Sequence, residues 1–189
     1  MTESIYCIFI PGTYRINRRI SAVDLVESIH AEYCNFWNFE RTAQAKHIGY
    51  SPEEITILSS IVYAETKNVA EMPMIAGLYL NRLKKNMRLE ADPTLIYASG
   101  AHGTKRVYTK LTYIKSNYNT YRNKGLPPGP IGPTPLVSLE ASLHPATHNF
   151  FYFCAHESLS GCHTFSESYE AHKLNAIRYR KILDKNKIH

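Results

Sequence analysis

The stretch SPEEITILSSIVYAET, residues 51–66, constrains this chain more than any other because it specifies both where a helix starts and which way it packs. Ser51 can accept the amide of Glu54 while the Glu54 side chain reaches back, and Pro52 suits the first helical position, so the spacing predicts a helix beginning here. Ile55, Leu58 and Val62 follow in steps of three and four, and the next position on that stripe is Glu65, with Ile61 one turn beneath it. A carboxyl group at the edge of an apolar face loses solvation of its charged form, so its pKa rises and it can carry a proton near neutral pH. The same position admits a plainer reading, a solvated glutamate in the last turn of a structural helix. The helical period does not choose between the two.

The 189 residues suffice for one good core, and 44% hydrophobic with 20% charged residues excludes an extended disordered chain. The longest apolar runs, residues 5–10 and 57–62, fall far short of the roughly 18 residues a membrane-spanning helix requires. Glu3 precedes the first of these runs and a basic leader is missing, so Met1 does not begin a signal peptide. Work outside the cytoplasm would then require that something N-terminal has been removed. A net charge of +6 would suit an anionic partner. Much of it lies in AHKLNAIRYRKILDKNKIH, which reads as an amphipathic helix with a solvated basic face. Nucleic acid is not the expected partner, because zinc-finger cysteines, an aromatic RNA-binding signature and a recognition helix are all missing.

The opening SIYCIFIPGTYRI alternates and is rich in aromatic and β-branched residues, which predicts a strand interrupted at Pro11-Gly12. Val23, Leu25, Val26, Ile29 and Tyr33 follow a helical period started by Ser21 or Asp24, and a polar, aromatic stretch from Asn35 to Tyr50 connects to the Glu65 helix. A second helix is expected from about Pro73, with Ile75, Leu78, Tyr79 and Leu83 on its inner side and an end at Lys84-Lys85-Asn86. Asp92-Pro93 reads as an N-cap and first helical position of a short helix that stops at Gly100, although Asp92 could instead face a cleft. From Tyr108 to Pro135 the chain is irregular, with five prolines after Gly125; its tyrosines and asparagines suit either a sugar groove or a rigid surface loop. A helix over 136–143, a hairpin over 150–164 and a closing helix over 169–183 complete an α+β fold, a helical domain with a small antiparallel hairpin.

Cys7, Cys34, Cys154 and Cys162 show no CxxC spacing. The last two flank AHESLSG between strand-like runs, so a hairpin could set them across from each other as a disulfide or as two thiols. His156-Glu157 lacks a second histidine at metalloprotease spacing, and Pro145 between His144 and His148 spoils a two-ligand helix face, so no metal is expected. GxSxG, GxxxxGK[ST] and GxGxxG are all missing. Among nine histidines, His163 in GCHTF is the one kept as a site candidate.

Read in order, FIPGTYRI, SSIVYAET, IAGLYLNRL, MRLEADPTLIY, YNTY, GLPPGPI, LHPA and GCHTF resemble the successive motifs of the MltG-type, YceG-like endolytic lytic transglycosylases of bacterial peptidoglycan. The resemblance implies that Glu65 is the catalytic glutamate and that Arg88, Asp92, Thr94, Tyr118, Asn119, Tyr121 and His163 line the glycan cleft. It implies residues 1–45 as the end of a LysM-like subdomain with a linking helix, residues 46–189 as the catalytic domain, and a membrane helix upstream that this chain lacks. It further implies action on the extracytoplasmic face of the inner membrane, on peptidoglycan strands and beside wall-synthesis proteins, without metal or organic cofactor. Gly12 and Tyr63 depart from residues common in such sequences, an acidic or polar one and a second glutamate; Tyr63 thereby removes a negative charge near Glu65. The implied reaction is proton donation by Glu65 to the bond between N-acetylmuramic acid and N-acetylglucosamine, then closure of the muramyl C6 hydroxyl onto C1. Two alternatives stand beside it, a lysozyme-like hydrolase using Asp92 and a non-catalytic glycan-binding module. A pyridoxal-phosphate lyase finds neither a cofactor lysine environment nor a phosphate-binding loop.

Overall fold

In a computed structural model, residues 3–100 and 109–186 are described; Tyr108, where the irregular segment was expected to begin, and the last residues of the basic tail lie outside them. Seven α-helices and one hairpin form the described part: α1 (Ala22–Phe36), α2 (Phe39–Ile48), α3 (Pro52–Glu65), α4 (Met72–Lys84), α5 (Asp92–Ser99), α6 (Leu136–Leu143), β1 (Tyr152–Ala155), β2 (His163–Ser166) and α7 (Tyr169–Lys185).

Helix α3 is the axis. Its capping box forms as the sequence predicts, Ser51 Oγ accepting from Glu54 N and Glu54 returning to Ser51 N. Every residue from Ile55 to Val62 is buried, because α6, α4 and α5 pack around it. Its small polar residues are what permit this. Ser59 and Ser138 of α6 share a 2.8 Å hydrogen bond at close approach, Thr56 donates to Pro52 O, and Ser60 accepts the amide of Ile131 at 3.0 Å. The proline-rich loop is thereby pinned to the core helix without an unpaired hydroxyl on these three residues.

One core gathers Leu58, Ile61 and Val62 of α3 with Ile75, Leu78 and Tyr79 of α4; a second joins Ile10, Phe36, Trp37 and Ala45 to Ile55, Leu139 and Leu143. This second core draws on both sides of the expected boundary at residues 45 and 46.

The N-terminal strand does not form. Glu3–Ile8 is a 3-10 helix that tucks Cys7 against α3, with its thiol 3.9 Å from Glu53 O. A strand needs a neighbour to pair its backbone, and the one sheet of the described residues consists of β1 and β2 alone. Burial, then the nearby Glu53 charge, raise the pKa of Cys7 to about 11. Helix α2, which the sequence did not announce, begins at an Asn38 cap and ends at Gly49 with φ 92°.

Helix α4 is crossed closely by the segment after α6. A Cβ on Gly77 would sit 2.3 Å from Ala146 O and 2.9 Å from His148 Nε2. That crossing is fastened by Ala146 N donating to Pro73 O at 3.0 Å, His148 Nε2 to Met74 O at 2.9 Å, and Asn81 Nδ2 to His148 O at 2.7 Å. We expect Gly77→Ala to destabilise the chain by about 1–3 kcal/mol, read as a lower midpoint in chemical denaturation. An unchanged midpoint would mean that the crossing segment is not held against α4.

Candidate active site

Glu65 is the last residue of α3, and its carboxyl lies on the floor of a cleft of about 540 Å³. Burial raises its pKa from 4.5 to about 7; the Tyr79 hydroxyl opposes the rise, Asp92 adds to it and Arg82 opposes it. The Tyr79 hydroxyl donates to Glu65 Oε1 at 2.6 Å from α4, and that tyrosine is fully buried. Its ring meets Phe153 of β1 edge to face, 6.1 Å between centroids. The carboxyl is therefore partly buried and held by one strong donor, and near neutral pH a large share of it carries its proton.

Arg82, one turn beyond Tyr79, is buried and shapes two walls. Its Nε donates to Phe151 O at 2.6 Å beside the hairpin, and its Nη1 donates to Arg88 O at 3.1 Å and Leu89 O at 2.8 Å. It also meets the Glu90 carboxylate at 3.2 Å.

Asp92 stands exposed on the cleft wall, and here the structure corrects the sequence. Asp92 is not the N-cap of α5. Ala91 takes that place without a side-chain bond, and Pro93 is the second helical residue. The helix start is held instead by Thr120, whose Oγ1 accepts from Ala91 N at 3.0 Å and pairs with Thr94 Oγ1 at 2.8 Å. This leaves the Asp92 carboxylate to accept the Tyr121 hydroxyl at 2.6 Å. Burial and that bond push the Tyr121 pKa well up.

Of the residues the resemblance implies, Glu65, Asp92, Tyr121 and His163 line this cleft together. Arg88 is exposed in a shallower depression with Thr112 and Tyr113, and Tyr121 borders both spaces. Thr94, Tyr118 and Asn119 lie behind the wall. Thr94 is fully buried, and Tyr118 packs on Tyr97 with centroids 4.7 Å apart. Asn119 donates to Thr112 O at 3.0 Å and Ile114 O at 2.8 Å while accepting from Tyr121 N at 2.9 Å. In this arrangement Asn119 shapes the turn that presents Tyr121.

Sequence reasoning missed Tyr79 and Arg82 as site residues, although their three-residue spacing on the inner side of α4 puts both toward the helix bearing Glu65. It also missed the wall made by Tyr152 and by Tyr169, His172 and Arg180 of α7. Cys154 lines the cleft too, but the hairpin register sets it opposite Thr164, so Cys154 and Cys162 are not cross-strand partners.

Removing the Tyr79 hydroxyl deletes the bond that favours the ionised form of Glu65, so Tyr79→Phe is expected to raise the Glu65 pKa above about 7. For a reaction that needs protonated Glu65, the alkaline limb of kcat/KM then moves to higher pH. A limb that stays in place would show that the bond does not tune the acid.

The YceG-like family profile matches residues 1–178, and the chain belongs to the YceG-like family. It is 32% identical over 176 residues to the endolytic murein transglycosylase of Bacillus subtilis (strain 168), covering 93% of this chain and 48% of that protein. The protein of the same name from Streptococcus pneumoniae serotype 2 is 27% identical over 174 residues, covering 89% of this chain and 31% of its own length. A crystal structure of a yceG-like protein from Listeria monocytogenes superposes with a TM-score of 0.77 at 33% identity, covering 88% of this chain and 54% of that one. The chain thus spans about half or less of the relatives it matches.

Proposed function

We propose that this chain is the catalytic part of an endolytic lytic transglycosylase that cuts the bond between N-acetylmuramic acid and N-acetylglucosamine in peptidoglycan strands. The observation that carries this reading is the Glu65 carboxyl, partly buried in the cleft with its pKa raised to about 7 and held by the Tyr79 hydroxyl at 2.6 Å. The names of the Bacillus and Streptococcus relatives support it.

Protonated Glu65 gives its proton to the glycosidic oxygen as the C1–O bond breaks and positive charge develops at C1. The resulting carboxylate then takes the proton of the muramyl C6 hydroxyl, whose oxygen bonds to C1 to close a 1,6-anhydro ring. Glu65 ends protonated, as it began, and water takes no part. Tyr121 and Asp92 face the same space as hydrogen-bonding groups for sugar hydroxyls. Residues 46–189 supply this machinery, and the substrate places its work outside the cytoplasmic membrane, beside the proteins that build the wall. Among the described residues, no helix is long and apolar enough to cross a membrane.

Asp92 supports a second reading. Freed from a capping role and exposed in the cleft with Glu65, it is positioned as a second carboxylate, as a hydrolytic muramidase uses. Mass spectrometry of peptide-stripped glycan strands treated with the chain decides between them. Anhydro-muramyl ends are expected; reducing ends would replace the transglycosylase by the hydrolase, and intact strands would leave glycan binding alone.

A further inference from the structure

Glu71 occupies the N-cap of α4 yet makes no cap bond with its side chain. Its carboxylate is spent elsewhere. Oε1 accepts the backbone N–H of His163 at 2.7 Å, Oε2 accepts His163 Nδ1 at 3.0 Å, and Thr66 Oγ1 approaches Oε2 at 3.5 Å. Both side chains of the pair are largely buried, 14% exposed for His163 and 13% for Glu71. The contact spans 92 residues and joins three elements, the end of α3 just after Glu65, the start of α4 and the start of β2.

A carboxylate oxygen accepts, so Nδ1 carries the proton, and in the neutral imidazole the opposite ring nitrogen, Nε2, is left with a lone pair. The ring plane is fixed a second time by Phe153, which meets it edge to face at 5.1 Å and 88°. His163 lines the cleft that holds Glu65, and among the described residues Nε2 has no hydrogen-bond partner.

We propose that Glu71 is a positioning residue that locks His163 in the Nδ1–H tautomer, so that Nε2 accepts a hydrogen bond from a hydroxyl of the sugar bound next to Glu65. This rests on the glycan-cleaving reading and assigns the ligand class of one wall of that site, a donor hydroxyl. With Oε1 taken by the His163 amide and Oε2 by Nδ1–H, the neutral ring cannot turn over and offer a proton in place of a lone pair without losing the Nδ1–H bond. Because Thr66 joins the same carboxylate, the acceptor and the acid are held in one register.

The tautomer is read by nitrogen-15 NMR of the histidine side chains in the intact chain, with chitooligosaccharide as the glycan probe. In the native chain Nδ1 is expected to report an attached proton and Nε2 a lone pair, with the Nε2 resonance moving as the oligosaccharide binds. Glu71→Gln, which keeps the shape but can accept only one of the two N–H groups, is expected to shift His163 toward the other tautomer and to lower kcat/KM roughly tenfold. In a His163→Ala background the same change should cost nothing further. An Nε2 resonance that stays still while other resonances report binding would overturn the proposal, as would a Glu71→Gln loss undiminished in the His163→Ala background. The NMR titration needs no turnover, so it stands apart from failure of the transglycosylase reading, which the product analysis reports.

Discussion

Under the proposed reaction, Glu65→Gln is expected to leave the chain folded and to lower glycan cleavage about 10²–10⁴-fold, since the group that would give and take the proton is gone. The same change should make the protein more stable at alkaline pH. A carboxyl raised from 4.5 to about 7 binds its proton more tightly in the folded chain than in the unfolded one. The cost of ionising it is therefore absent below about pH 4.5, grows as pH rises toward 7, and is fully present above, where it reaches up to about 3 kcal/mol. Calorimetry of the two chains across pH 4 to 9 reads it directly. The melting temperatures should converge in acid and separate through neutrality in favour of glutamine. A difference that does not vary with pH would mean that Glu65 is solvated, which is the plainer reading its sequence position allowed.

Arg82→Ala is expected to cost about 3–5 kcal/mol in equilibrium denaturation, the largest stability effect at any single cleft residue. It would strip donors from Phe151 O, Arg88 O and Leu89 O and abandon the ion pair with Glu90. Arg82→Lys should recover little, because one ammonium cannot span carbonyls on two walls that a guanidinium fork bridges. A lysine variant within about 1 kcal/mol of native would show that charge alone suffices there.

How far the sequence could be read follows from the range of each interaction. The Glu65 helix was legible because its capping box, proline and apolar steps are all local, and α1, α4, α6, the hairpin and α7 followed from the same kind of signal. The N-cap reading of Asp92 failed because its competitor is distant. Thr120, 29 residues from Ala91, takes over the helix start, and nothing near Asp92 announces it. The N-terminal segment has the composition of a strand but no neighbour to pair with. Helix α2 buries only Ala45, so it left no apolar period to find. In the cleft, the place of Glu65 was visible and its surroundings were not. Tyr79, Arg82 and the α7 wall become neighbours of Glu65 only through the packing of α4 on α3 and of the closing helix on the hairpin.

That closing helix differs from the other helices that line the cleft. Not one of its residues is buried, Leu174 and Ile177 are exposed, and it rests chiefly on β1 and β2. Its amides should therefore exchange with deuterium well before those of α3, in an opening that leaves the core intact. A tunnel admits a polymer only by its end. A cleft with one loosely seated wall lets a strand be laid in from the side, as the proposed cutting within a strand requires.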